Sequence, residues 1–198
     1  MSLENVEVAR GHRMRGTRIA LPRLGERASQ RRSLDERLSV RFPTLYRLVA
    51  DVFARLPPRS RLRRSVVTRR VQRAYAAANR RDFDVVLMGW DSGSEYRPSG
   101  DLMPPDVEPV FHGHDGMRQL WRYWLDAFED LRWDPEEMLD LGEEQLLVTA
   151  QQTGHGSGSG VSVSEPVFQL FTLRRGLVVR QEDFLDRSKA LEAAGLRA

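Results

Sequence analysis

Cysteine is absent from this 198-residue chain, so no disulfide, thiolate nucleophile or cysteine-built zinc site is available to it. No run of about 18 apolar residues occurs, which excludes a membrane-spanning helix by sequence, and the N-terminus lacks the apolar core of a signal peptide. The expectation is a cytoplasmic protein. Lysine is nearly missing: Lys189 is the one lysine among 31 basic residues. Arginine therefore carries almost all the positive charge, and its sheer number is a weak guide to function.

The net charge of +3 conceals a division. Residues 1–81 hold 21 Arg against 6 acidic residues, whereas residues 82–198 carry a net charge of −12. A basic N-terminal half can meet nucleic acid or an anionic membrane surface. No nucleic-acid-binding motif accompanies the charge, so nucleic acid is not the expected partner, although it stays open as a third reading. Residues 1–32 are basic and lack periodicity, and read as a mostly disordered arm. Residues 33–64 read as accessory helices followed by a basic joint. Ser33-Leu34-Asp35-Glu36 has the form of a capping box, and Leu45, Leu48, Val49, Val52, Phe53 and Leu56 recur at helical spacing before Pro57-Pro58. Their apolar stripe needs cover from the same chain, a second copy or a membrane surface.

Residues 65–198 carry the strongest patterning and are expected to fold alone. Val67, Val71, Ala74, Tyr75 and Ala78 mark one helix face, and Asp82 is placed to cap a second helix with Phe83, Val86, Leu87 and Trp90 inward. A short strand is expected at Glu95-Tyr96-Arg97 and another from Val107 to Phe111. Asp115 is the expected N-cap of the longest helix, which runs through Met117, Leu120, Trp121, Trp124, Leu125 and Phe128 to Leu131. Antiparallel strands are predicted at Trp133 to Asp140, Gln145 to Thr153, Val161 to Leu173 and Leu177 to Leu185, the last two joined at Arg174-Arg175-Gly176. Asp186 and Gly195 supply the caps of a final short helix. Helices first and strands later give an α+β class.

The last two strands carry the chemistry. If the Leu177 face of the last strand joins the odd-numbered face of the strand before it, which is apolar except for Glu165 and Gln169, alternation sets Gln169, Gln181 and Asp183 together in a mostly apolar interior, and a few convergent polar groups in an apolar concavity make a small-molecule site. Burial raises the pKa of a carboxyl group, which suits Asp183 to acid/base work. Trp90 and Trp124 have core spacing and are expected to line the same pocket. No metal or cofactor is called for. His112-Gly113-His114-Asp115 has metal-site composition, but its side chains spread between a strand end and a helix cap, and the glycine-rich 154–160 stretch lacks a phosphate loop's Gly-Lys-Ser/Thr ending.

Three phrases in order resemble a known family: Ala74-Tyr75-Ala76-Ala77-Ala78-Asn79-Arg80-Arg81-Asp82-Phe83-Asp84, then Phe111-His112-Gly113-His114-Asp115-Gly116, then Leu173-Arg174-Arg175-Gly176-Leu177-Val178-Val179-Arg180. With the closing Leu185-to-Leu196 segment, residues 65–198 are similar to the SnoaL-like, polyketide cyclase-like branch of the nuclear transport factor 2 superfamily. The resemblance implies a cone-shaped, strongly curved antiparallel sheet packed against helices, here with an extra N-terminal helical segment. It implies a pocket for a small hydrophobic ligand, handled either by cofactor-free acid/base chemistry of cyclase, isomerase, dehydratase or hydrolase type, or by binding alone. Tyr75 falls where ketosteroid isomerases in this superfamily have an oxyanion-binding tyrosine, Gln169 where they have a second donor, and Arg97 at or beside their base. An arginine takes no proton, which argues against isomerase chemistry. Asp183 falls where SnoaL-type cyclases keep an acid/base aspartate, while their histidine partner has no counterpart. Tyr96 and Arg97 join the candidate ligand-binding set. A homodimer is also expected, because Phe168 and Leu170 on the outer sheet face need cover.

Overall fold

The computed structural model describes residues 16–24, 30–99, 110–142 and 144–196. The rest of the expected disordered arm and most of the Val107-to-Phe111 strand lie outside the described residues. Within the arm, residues Thr17–Ala20 form β1, which pairs antiparallel with Asp140 to Glu137. Helices follow at Leu34–Arg41 (α1), Pro43–Ala54 (α2), Arg61–Asn79 (α3) and Phe83–Met88 (α4). Then come β2 (Trp90–Arg97), β3 (Phe111–His112), α5 (Gly113–Ala127), β4 (Arg132–Gly142), β5 (Gln145–His155), β6 (Ser162–Arg174), β7 (Leu177–Phe184) and α6 (Arg187–Ala193).

The seven strands form one sheet in the order β1-β4-β5-β6-β7-β2-β3. Pairing is antiparallel except between β2 and β7, which run parallel because α5 and the β4–β7 meander intervene between them. Register shifts interrupt β4, the β6–β7 pair and the β2–β7 pair. Extra residues at such points sharpen strand twist, and the sheet curls. The β6–β7 hairpin closes with Arg175 at φ 51° and Gly176 at φ 74°, the left-handed pair that suits a two-residue turn.

Helices cover both faces. Met138, Leu146, Val148, Ala150 and Val167 pack beneath α3 around Tyr75, while Met117, Leu120 and Trp124 of α5 meet α4, Trp90 and Tyr96. On the other face Leu139, Leu147, Phe168 and Leu170 lie beneath Ala190 and Leu191 of α6 and Ala194 just after it. Phe168 and Leu170, expected to need a second copy of the chain, are thus covered by its own C-terminal helix.

Local signals account for several helix ends. Ser33 accepts from the Glu36 amide and the Glu36 carboxylate accepts from the Ser33 amide, completing the capping box. Asp186 accepts from the amides of Ser188 and Lys189, and Gly195 follows α6 at φ 72°. Two expected boundaries move. Helix α5 begins at Gly113 rather than at an Asp115 cap and ends at Ala127, so Leu131 instead leads into β4. Trp90 opens β2 rather than closing α4, because α4 stops at Met88.

The domain boundary expected between residues 64 and 65 falls inside α3, which starts at Arg61. Just before it, Arg63 is buried and donates from Nε and Nη2 to the two carboxylate oxygens of Asp140 at 3.0 and 3.2 Å, while Nη1 donates to the Ala54 and Leu56 carbonyls. One guanidinium therefore ties the C-terminal end of α2 to β4. Gly176 backs directly onto Ala50, leaving no room for a side chain, and Arg70 donates to the Gly176 carbonyl at 2.6 Å. The inner face of α2 is Tyr46, Ala50, Phe53 and Ala54; Leu45, Leu48, Val49 and Val52, from the stripe expected to be covered, are exposed. None of the helices among the described residues is long and apolar enough to cross a membrane.

Candidate functional site

Register assembles the site. Gln169 on β6 stands opposite Asp183 on β7, and Gln181, two residues earlier on β7, stands opposite Tyr96 on β2. Since alternate residues of a strand share a face, these four side chains project together on the concave side. Tyr75 reaches them from α3. Its helix is fixed one turn later by Asn79, whose amide donates to the Trp133 carbonyl at 2.8 Å and accepts from the Trp133 amide at 2.9 Å.

The five side chains form one buried hydrogen-bond network. Tyr96 Oη donates to Asp183 Oδ2, Gln181 Nε2 donates to Asp183 Oδ1 at 2.7 Å, and Gln169 Nε2 lies 3.1 Å from each carboxylate oxygen. Tyr75 Oη donates to Gln169 Oε1. That bond orients the amide, because its oxygen takes the phenol proton and its nitrogen is left to face the carboxylate. Asp183 is 7% exposed, and burial pushes its pKa up to about 6, against the opposing pull of the donors on Gln181, Tyr96 and Gln169. Both phenols are held well above their ordinary pKa by burial and by the charge of Asp183, so they remain donors at neutral pH. Removing one donor should be measurable: Tyr96→Phe is expected to raise the Asp183 pKa further, read as an upward move of its titration midpoint, because a bond that favours the charged form is lost.

These groups line a cavity of about 80 Å³ whose other walls are mainly Trp90, Met117, Trp121, Trp124, Trp133 and Phe171. Seven of the eight sequence-derived site residues are here: Asp183, Gln169, Gln181, Tyr75, Tyr96, Trp90 and Trp124. The exception is Arg97. It follows Tyr96 on β2, so alternation turns it to the opposite side, where it pairs with Glu95 at 3.3 Å. Gln152 and Trp133 were not anticipated. Gln152 is 4% exposed and accepts from the Trp133 indole at 2.9 Å. Its signal lay in β5, where Leu146, Val148, Ala150 and Gln152 occupy alternate positions, a polar end to an apolar face.

A second, larger chamber of about 140 Å³ adjoins the first. Tyr75, Val86, Trp90 and Phe171 border both, and the larger one is closed on its far side by Tyr46, Phe53 and Ala54 of α2. His114 and Asp115, half of the metal-like phrase, part company: His114 Nε2 sits 3.2 Å from the Trp90 carbonyl, while Asp115 pairs with Arg118 in solvent. Among the described residues, no three His, Asp or Glu side chains stand close enough to hold a metal ion.

The profile of the SnoaL-like domain family matches residues 71–181, more than half the chain. The chain belongs to this family. β1, α1, α2 and the first half of α3 lie outside the match, as do Asp183 at the end of β7 and helix α6. No curated protein sequence matches the chain. Similar solved structures include an NTF2-like protein of unknown function from Burkholderia pseudomallei, 22% identical with a TM-score of 0.55, covering 66% of this chain and 96% of that one. A putative SnoaL-like polyketide cyclase from Jannaschia is 21% identical with a TM-score of 0.54, covering 72% and 99%. TerC, co-crystallised with polyporic acid, is 20% identical with a TM-score of 0.54, covering 63% and 94%. At these identities the likeness is one of fold, a curled sheet with helices, and it does not by itself choose a chemistry.

Proposed function

We propose that the Asp183 chamber is a cofactor-free acid/base site for a small hydrophobic carbonyl compound. The observation that carries this reading is Asp183 itself: a buried carboxylate raised to about 6, facing an aromatic cavity and steadied by three donors. A base with a pKa just below neutrality is mostly ionised at pH 7 yet still basic enough to take a proton from a carbon beside a carbonyl group. As that proton moves to Asp183, charge develops on the ligand's carbonyl oxygen. A phenol of Tyr96 or Tyr75, released from its resting partner, is the donor within reach to receive it. The adjoining α2-lined chamber offers space for an apolar extension of the ligand. The solved structure of TerC with polyporic acid and the putative polyketide cyclase of like fold are consistent with this class of ligand.

Binding without chemistry is the second reading, and one observation favours it. Each of the five side chains of the network already hydrogen-bonds another within the protein, as in a structural hydrogen-bond cluster. The two separate in deuterated water: alkyl and aryl β-keto esters are offered to the protein, and loss of the α-proton signal is followed by NMR. An enzyme of the proposed kind speeds exchange above the buffer rate. Saturable binding with no added exchange selects the binding module, and neither binding nor exchange overturns the ligand class.

A further inference from the structure

Among the described residues, apolar exposure is concentrated in one place. Of the nine large hydrophobic side chains exposed among the described residues, eight fall between residues 34 and 62; Val161 is the other. On α2, Leu45, Leu48, Val49 and Val52 recur at i, i+3, i+4 and i+7 and are 43–61% exposed, while the opposite face is spent on the protein's own interior. Helix α2 is thus apolar on two sides, and packing in the fold explains only one of them. Leu38 and Phe42, at 59% and 53% exposure, continue the outward set toward α1.

The charge around this face is mainly positive, with Asp51 and Asp91 the carboxylates beside Arg47 and Leu48. Arg37, Arg41, Arg47, Arg55, Arg59 and Arg61 are all exposed. Each described carboxylate of the same stretch is matched by an arginine: Asp35 by Arg73, Glu36 by Arg80 and Asp51 by Arg55. A two-fold contact with a second copy would set this cationic rim against itself. Nucleic acid would use the arginines but leave the aliphatic row in water, since bases stack on aromatic or guanidinium planes. An anionic bilayer meets both needs, taking aliphatic side chains into the boundary between headgroups and acyl chains and pairing arginines with lipid phosphates.

We propose that the outward face of α2, with Leu38 and Phe42, docks this protein on an anionic lipid surface. The docking is peripheral and independent of whether Asp183 performs chemistry. Because α2 also walls the larger chamber with Tyr46 and Phe53, a docked bilayer lies one helix away from that chamber.

The test is co-sedimentation of the full chain with vesicles of phosphatidylcholine alone and with vesicles in which about a third of the lipid is phosphatidylglycerol. Pelleting with the anionic vesicles only is expected, falling as salt is raised. Leu48→Asp combined with Val52→Asp should weaken partitioning about tenfold or more. Arg37→Gln and Arg47→Gln should each weaken it about fivefold, the equivalent of one arginine near an anionic surface. All four positions are exposed, so unchanged circular dichroism and melting are expected, and the glutamine variants keep the test alive if the aspartates disturb α2. Failure to pellet, or pelleting that all variants share, overturns the proposal. So does a solution dimer that the paired aspartates split, which would assign the face to a second copy. Binding to an oligonucleotide that the glutamine variants lose and the aspartate variant keeps, without vesicle binding, would assign it to nucleic acid.

Discussion

Arg63→Ala is expected to cost about 3–5 kcal/mol of unfolding free energy, the loss typical of removing one partner from a buried ion pair. Asp140 has no exposure to solvent, and its remaining donor would be the Gly142 amide at 3.1 Å. The same change frees the Ala54 and Leu56 carbonyls at the end of α2. Replacing both partners, Arg63→Met with Asp140→Leu, should recover most of the loss, since no charge is then stranded. Denaturant unfolding of the three variants checks this, and a single-variant cost below about 1 kcal/mol would show that the pair behaves as a solvated surface bridge. The independence expected of residues 65–198 meets the same physics: a fragment starting at Ser65 carries Asp140 without its cation, whereas one starting before Ser60 keeps the Arg63–Asp140 pair. The shorter fragment is expected to melt lower.

Asp183→Asn is expected to lower catalysed α-proton exchange by about 10² or more while ligand still binds, because shape is kept and the base is removed. In the unaltered protein the rate should rise with pH through about 6, as Asp183 loses its proton. Stability should move the other way. The Asp183 pKa is higher folded than its unfolded value of about 3.9, so the stability it contributes is full below pH 4 and lost as pH rises through 6; two pKa units amount to roughly 3 kcal/mol. The difference in unfolding free energy between the native protein and Asp183→Asn should therefore fall across that window. A flat difference would mean the carboxylate is not desolvated.

Much of the site was legible because strand alternation is a two-state pattern. With one face of β6 and β7 apolar, Gln169, Gln181 and Asp183 had to share a side, and the pairing register delivers them together. Tyr96 and Arg97 show the limit of that reading. Alternation demands that adjacent residues part, but it does not say which enters, and the parallel pairing of β2 with β7 that decides it joins strands far apart in sequence. Helix α2 shows another limit. Periodicity found its apolar stripe, yet Ala50 is the residue turned inward, because its small side chain allows the close approach to Gly176 that a leucine or valine would block. The Arg63–Asp140 pair was invisible for a different reason: Arg63 sits among Arg59, Arg61 and Arg64, and only the location of Asp140 on β4 distinguishes it. Likewise, Phe168 and Leu170 announced that they needed cover without saying that α6 supplies it.

The most direct test of the central claim is an NMR titration of the Asp183 side-chain carboxyl carbon in the ligand-free protein, assigned by comparison with Asp183→Asn. A midpoint near 6, moved upward in Tyr96→Phe, is the result expected of a desolvated carboxylate held by the Tyr96, Gln181 and Gln169 donors. A midpoint at or below about 4, unmoved by Tyr96→Phe, would describe a solvated aspartate and contradict the assignment of this chamber as an acid/base site.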